Sequence, residues 1–205
     1  SFGIIFKYLL DINNKYIIGY ILIIISLMDL YIISNIIWGH HIYIIGLEIE
    51  SKLYYTIITF IISLPTGNKI YNWLCIIYNS YNIINSYVLY ILEVIILEYF
   101  NIFIIGGITG IILGNNILDI SLHDNYYVIA HFHYILSIGA IISVISVLYY
   151  IILYKLLKFN YYILYRILII YTLYYINNIN LIFIPLFYIG YNIIPRRILE
   201  YSEFY

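Results

Sequence analysis

Long uninterrupted apolar stretches are the feature that most limits what this chain of 205 residues can fold into. Each stretch exceeds the roughly 20 residues that a helix needs to cross the hydrocarbon of a bilayer. Only helices or closed barrels satisfy the backbone in lipid, and the period-two alternation of barrel strands is missing. We therefore predict an all-α integral membrane chain, with a short helical tail near 2–10. The predicted spans are 16–43, 53–78, 86–114, 125–154 and 160–190.

Composition agrees with this class and excludes a soluble globular domain. Hydrophobic residues make up 65% of the chain and charged residues 9%, whereas soluble proteins average roughly half and a quarter. No linker or internal repeat divides 1–205, so we expect a single membrane region in contact with lipid, no nucleic-acid partner and no secretory signal. Cys75 is the single cysteine, which excludes an internal disulfide and a cysteine-based cluster within this chain.

Charged residues in the connections assign a side of the membrane to each helix end. Apart from Lys52, which lies among the acids, the lysines of the connections fall on one side and the acids on the other, and the positive-inside bias places the lysine side in the matrix or cytoplasm. Arg196 and Arg197 are an exception on the acidic outer side, which suggests anions to be held there. The lysines are Lys7, Lys15, Lys155 and Lys158, and the acids are Glu48, Glu50, Asp119, Asp124, Glu200 and Glu203.

Two close pairs of histidines lie at the outer side of the predicted membrane region. Ionisable groups inside a membrane are costly and are functional by default. His131 and His133 are about 200° apart on a helix, so one helix can ligate two separate centres with them. His40 and His41 are about 100° apart and can share one ion if a third ligand comes from another helix. Imidazole suits copper, iron and zinc alike, so these residues alone do not identify the metal.

Five short motifs, in this order, resemble the signature of the cytochrome c oxidase subunit I family, the core of haem-copper oxidases. The resemblance implies a chain that contributes about five transmembrane helices to a twelve-helix core. The motifs are Trp38-Gly39-His40-His41, Pro65-Thr66-Gly67-Asn68-Lys69, Gly106-Gly107-Ile108-Thr109-Gly110, the run from Asp119 through His123-Asp124 to His131-Phe132-His133, and Pro195-Arg196-Arg197.

The resemblance implies specific ligands for two haems and a copper ion. His131 corresponds to the axial ligand of the high-spin haem a3, and His133 to that of the low-spin haem a. His40 and His41 correspond to two ligands of copper B. The remaining ligands of the family are absent from this sequence.

The same resemblance implies an ion and two propionate contacts near the outer surface. His123 and Asp124 correspond to ligands of magnesium or manganese, hard cations that suit a carboxylate and retain water. Asp119 is similar to a residue of the haem propionate region. Arg196 and Arg197 correspond to the pair that holds the propionates, which are anions of the kind that the charge pattern suggested.

Lys69 corresponds to the lysine of a proton path to the oxygen site, with Thr66 one turn earlier. The alternative is a long side chain that extends to the membrane surface without a catalytic role. Asp29, Glu93 and Glu98 are intramembrane carboxyls to which the resemblance assigns no role.

A chain of this kind is expected to work only with partners. The resemblance implies an N-terminal segment or chain of subunit I, subunits II and III, cytochrome c as the electron donor through subunit II, and the mitochondrial inner membrane. A quinol-oxidising core of the same superfamily is one alternative. The others are a non-catalytic assembly subunit and a di-haem b-type anchor, although an adjacent His-His pair suits copper better than haem.

Overall fold

The computed structural model describes residues 2–3, 6, 19–80, 87–150 and 162–201, and it describes side chains at all of these except 79–80, 87–98, 149–150, 162–166, 168 and 169. The described parts are helical and contain no strand apart from an isolated antiparallel bridge between Asn125 and Pro195. The α-helices are α1 Tyr20–Ile36, α2 Ile49–Ile61, α3 Ser63–Ser80, α4 Tyr87–Gly114, α5 Asn116–Leu122, α6 Tyr126–Phe132, α7 Ala140–Tyr150 and α8 Tyr162–Tyr191.

Helices lie within each of the predicted spans, and the all-α membrane class is confirmed. Tyr20–Ile45, Tyr126–Leu148 and Ile170–Tyr191 are long and apolar enough to cross a membrane. A fourth span results if Tyr99–Gly114 and Asn116–Leu122, which meet at a bend of 99°, are taken as one. The division of the chain into five spans stays a prediction.

The second predicted span is interrupted at Ile62 and forms two helices, α2 and α3. Pro65 has no N–H to donate to the carbonyl of Ile61, so the backbone ladder is broken there. Side-chain hydroxyls replace part of it: Ser63 donates to a carbonyl three residues back at 2.6 Å, and Thr66 donates to the carbonyl of Ile62 at 3.0 Å. The helix after the interruption, α3, also carries the polar residues Asn68, Lys69 and Asn72.

The first predicted span ends in a 3₁₀-helix, Ile37–Ile45, instead of continuing as α-helix. A side chain at Gly39 would overlap the ring of Tyr55, so glycine allows this segment to pack closely on α2. Tyr43 is fully buried, and its hydroxyl donates to a carbonyl at the end of α4 at 3.2 Å. Gly46, with φ of 86°, ends the segment in the left-handed region. These contacts fix the histidine pair just beyond the C-terminal end of α1.

Buried aromatic side chains join α6 and the π-helix that follows it to α8. The π-helix, His133–Gly139, connects α6 to α7 within one apolar stretch. Tyr127 and Tyr134 pack against Phe187 with ring centroids 5.0 and 5.6 Å apart. The hydroxyl of Tyr134 donates to Asn180 Oδ1 at 2.8 Å, which satisfies its polar end inside the core. The helix that carries His131 and His133 is therefore held firmly against α8.

Candidate functional site

A cavity of about 610 Å³ opens between the 3₁₀ segment, α3, α4 and α6. Its volume is typical of cavities that bind organic ligands, which span roughly 300–1,000 Å³. Apolar side chains and glycines of α4 form much of its wall. Its charged and imidazole groups come from four separate parts of the sequence, and they are His40, His41, Asp119, His123, Asp124, His131 and Arg196.

His40 and His41 present their Nε2 atoms to each other at 2.9 Å. Nδ1 of His40 lies 3.4 Å from the hydroxyl of Thr59, which already donates to the carbonyl of Tyr55 at 2.6 Å. The hydroxyl therefore accepts from His40 Nδ1–H, and Nε2 keeps a lone pair. Two nitrogens that are each about 2.0–2.1 Å from one ion, at a right angle, are about 2.9 Å apart. The separation of 2.9 Å therefore fits two ligands of one metal ion, and it equally fits one N–H···N hydrogen bond between the rings.

His131 is held in the same way by a threonine of α4. Its Nδ1 lies 3.0 Å from the hydroxyl of Thr109, and this hydroxyl donates to the carbonyl of Gly106 at 2.9 Å. The imidazole therefore donates through Nδ1, which leaves Nε2 as the ligand atom. A Cβ at Gly110 would lie 2.9 Å from Cε1 of the imidazole. A glycine is thus needed for α4 to approach this ring so closely.

His133 lies on a different side of its helix from His131 and does not line the cavity. Its Nδ1 donates to the carbonyl of Ile129 at 2.8 Å, because a carbonyl only accepts. Its ring stacks on Phe132 and on Phe183 of α8, with centroids 4.5 and 4.7 Å apart. The separation predicted from helix geometry is therefore present, with one imidazole toward α4 and the other toward α8.

His123 sits between two carboxylates at the outer end of the cavity. Its Nδ1 is 3.5 Å from Asp119 Oδ2 and its Nε2 is 3.4 Å from Asp124 Oδ2. Arg196 Nε donates to Asp124 Oδ1 at 2.9 Å, a second nitrogen of the guanidinium donates to the same oxygen, and the Arg196 amide donates to the Asp124 carbonyl at 2.9 Å. The guanidinium holds the pKa of the Asp124 carboxyl below its usual range. Arg197 is exposed and lies outside the cavity.

Lys69 is 1% exposed and lies on α3, next to the cavity wall. It does not line the cavity, whereas Thr66, one turn earlier, does. Its Nζ lies 4.4 Å from the centre of the Phe2 ring. Among the described residues Nζ has no hydrogen-bond partner, and the same holds for Asn72 Nδ2 and Trp73 Nε1 one turn further along. Three buried donors on one helix face are therefore left without an acceptor.

Some charged residues of the sequence analysis lie elsewhere or beyond what the structure describes. Asp29 is exposed on α1, away from the cavity. The side chains of Glu93 and Glu98 lie outside the described residues, as do Glu203 and the four lysines used to assign the sides.

Comparisons with known proteins show the family of the chain. The family model described as cytochrome c and quinol oxidase polypeptide I matches residues 1–205. The chain belongs to this family. It is 34% identical to cytochrome c oxidase subunit 1 of Plasmodium chabaudi, over 99% of this chain and 41% of the relative. It is 36% identical to that of Candida albicans, over 99% and 37%, and 38% identical to that of Plasmodium falciparum, over 84% and 35%.

The chain spans about two fifths of the length of these relatives, and its ligand sets are correspondingly partial. Within the described part of the chain, no three His, Cys, Asp or Glu side chains are placed to hold a metal ion by themselves. Family membership implies haem and copper in general, and the donor chemistry fits both. His40, His131 and His133 each engage Nδ1 with an acceptor and keep Nε2 for a metal, which is the usual arrangement of a ligating imidazole.

The sequence reasoning assigned no role to Thr59, Thr109, Asn72 or Trp73, and Phe183 entered it only through the less specific match Phe183-Ile184-Pro185. Thr109 lies within a quoted motif, so the motif itself was a signal. Thr59 and Phe183 approach their histidines from other helices, and a single sequence does not contain such contacts.

Proposed function

We propose that this chain forms part of the catalytic core of a mitochondrial cytochrome c oxidase, which reduces oxygen to water and translocates protons. The observation that carries the proposal is the meeting of His40, His41 and His131 at one cavity. Threonine hydroxyls hold two of these imidazoles through Nδ1, so their ligand atoms are oriented before any metal binds.

Each histidine has a distinct role in this proposal. His131 is the axial ligand of the high-spin haem a3, His133 is that of the low-spin haem a, and His40 with His41 binds copper B. When bound, these groups supply electron transfer and oxygen binding. The chain itself sets the ligand atoms, their tautomers and the shape of the cavity.

At the outer end, His123 and Asp124 are the proposed ligands of magnesium or manganese. Arg196 and Arg197, with Asp119 nearby, are the proposed contacts of the haem propionates. Arg196 supports this role because it already lines the cavity and is fixed to Asp124 through both its side chain and its backbone. A guanidinium oriented in this way is suited to a carboxylate ligand.

Lys69 and Thr66 are the proposed residues of the proton path. A buried amine without an acceptor loses its charge readily, so it can take up and release a proton. Thr66 lies on the cavity wall one turn before Lys69, which gives the path an end at the oxygen site.

The proposed partners supply what this chain lacks. They are an N-terminal segment or chain of subunit I with the remaining ligands, subunits II and III, and cytochrome c, which delivers electrons through subunit II in the mitochondrial inner membrane. The fraction of each relative that the chain spans supports a companion of this kind.

A quinol-oxidising core is the second candidate, because the description of the matching family includes quinol oxidases. The relatives reported above are cytochrome c oxidases, which favours the first candidate. A non-catalytic assembly subunit has no use for three imidazoles oriented toward metals.

The test compares His131→Leu with His133→Leu in the purified native complex. His131→Leu should abolish the carbon monoxide difference spectrum and keep the low-spin haem signal, whereas His133→Leu should do the reverse. Complexes that lose both signals or neither in both variants would contradict the assignment of one imidazole to each haem.

A further inference from the structure

Two phenyl rings enclose the imidazole of His133. Phe132 and Phe183 stack on it at interplanar angles of 29° and 23°, with centroids 4.5 and 4.7 Å away. Each phenyl ring therefore covers part of the imidazole. Phe132 is the neighbour of His133 in the chain, whereas Phe183 comes from α8.

The hydrogen bond of His133 does not by itself fix the plane of the ring. Nδ1–H donates to the carbonyl of Ile129, and a carbonyl oxygen accepts over a broad range of directions. Rotation about the bond to the ring therefore remains possible unless neighbouring groups block it. Phe132 and Phe183, which stack on the imidazole, restrict this rotation.

We propose that Phe183 is a positioning residue for His133, which sets the plane in which this imidazole ligates the low-spin haem. The inference rests on the proposed function, because it needs His133 to be a haem ligand. Since Phe183 belongs to α8, the orientation of the imidazole depends on how α8 packs against α6. Contacts of this kind around a metal ligand tune the metal as well as orient the ligand.

Phe187, one turn further along α8, provides a matched control. It is also a largely buried phenyl ring, and it packs on Tyr127 and Tyr134 rather than on an imidazole. Phe183→Leu and Phe187→Leu remove the same atoms from the same helix, so both are expected to lower the stability of the complex. Only Phe183→Leu removes a ring that stacks on the imidazole of His133.

The experiment records the electron paramagnetic resonance spectrum of the oxidised low-spin haem in the whole purified oxidase. The g-values of such a haem depend on the planes of its axial imidazoles. Phe183→Leu should shift and broaden the largest g-value, whereas Phe187→Leu should leave it at the parent position. Phe183→Tyr, which keeps the ring, should restore it.

The outcomes distinguish the positioning role of Phe183 from the proposed ligand role of His133. If the parent complex contains the low-spin haem and Phe183→Leu leaves its spectrum unchanged, the positioning role is wrong and the proposed function stands. An equal shift in both leucine variants also overturns the role, because it reports general loosening of α8. If His133→Leu retains the low-spin signal, then His133 is not the ligand and the proposed function is wrong for this haem.

Discussion

The histidine cavity and the surroundings of Lys69 differ in how far their buried polar groups are hydrogen-bonded. At the cavity, Thr59 and Thr109 each accept from an imidazole Nδ1 and donate to a carbonyl, so the ligands are tied to the backbone. On the neighbouring side of α3, the buried donors of Lys69, Asn72 and Trp73 have no acceptor among the residues that the structure describes.

In the proposed function, the two regions have two different tasks. A metal ligand has to keep one tautomer and one direction, and a complete network of hydrogen bonds does this. A proton carrier has to exist in two charge states, and a strong fixed acceptor would hold it in one of them. The predictions that follow test whether the two regions differ in this way.

The largest effect is expected for Lys69→Met. Loss of a proton carrier should lower turnover by about 10²–10⁴-fold. The melting temperature of the complex should stay the same or rise, because methionine removes a buried amine that has no hydrogen-bond acceptor among the described residues. Oxygen consumption and thermal denaturation measure the two quantities, with Lys52→Met, at the partly exposed start of α2, as the control. Unchanged turnover would show that Lys69 has no part in proton uptake.

Thr109→Val should weaken retention of the haem that His131 ligates by about 10–100-fold, the usual cost of losing a partner of a metal ligand. The variant keeps the size of the side chain and removes the acceptor of Nδ1–H. Carbon monoxide binding per chain during dilution measures the loss, and Thr109→Ser, which keeps the hydroxyl, is the control. Equal retention in the two variants would show that the hydrogen bond does not orient His131.

Gly110→Ala should displace the imidazole of His131, because the added Cβ would lie 2.9 Å from Cε1. Crowding of this kind costs about 1–3 kcal/mol. Gly106→Ala on the same helix is the control, since its Cβ would lie 2.8 Å from Ile135 Cγ1 instead. Thermal denaturation should show a comparable loss for both variants, and the carbon monoxide difference spectrum should change only for Gly110→Ala. A similar spectral change in both would show that this contact is not specific.

The smallest effect concerns pH at the outer end. The folded-state pKa of Asp124 is lowered by Arg196, so this pairing stabilises the fold above the unfolded-state pKa and is lost as pH falls through the folded-state value. The protection of the Arg196 amide against hydrogen exchange, relative to its intrinsic rate at each pH, should fall over that acidic range, because this amide donates to the Asp124 carbonyl. Asp124→Asn should remove this pH dependence, and an unchanged profile in the variant would assign it to another group.

The sequence predicted the class of fold and the residues of the cavity because both depend on local patterns. Apolar length indicated membrane helices, and the spacing of His131 and His133 placed them on different sides of one helix. The motifs placed His40, His41 and Arg196 together through resemblance. All of these are properties of residues that are close in the chain or part of a known signature.

Two of the features that were not predicted depend on contacts between distant segments, whereas the break at Ile62 is local to Pro65 and is not visible in apolar length. The 3₁₀ conformation at His40 follows from the packing of Gly39 on Tyr55, and the break at Ile62 follows from how hydroxyls replace the ladder near Pro65. The stacking of Phe183 on His133 joins α8 to the π-helix. Apolar periodicity carries no information on such pairings, since it records which residues are buried and not which residues meet.

The measurement that tests the central claim most directly is a reduced-minus-oxidised and carbon monoxide difference spectrum of the native complex that contains this chain. The same sample is analysed for haem and copper content, and its co-purifying chains are identified by mass spectrometry. The account predicts a low-spin haem, a haem that binds carbon monoxide, and copper in fixed ratio to the chain, with the missing histidine ligands on another chain or segment of the complex. Complexes free of haem and copper would contradict it and leave a purely structural role.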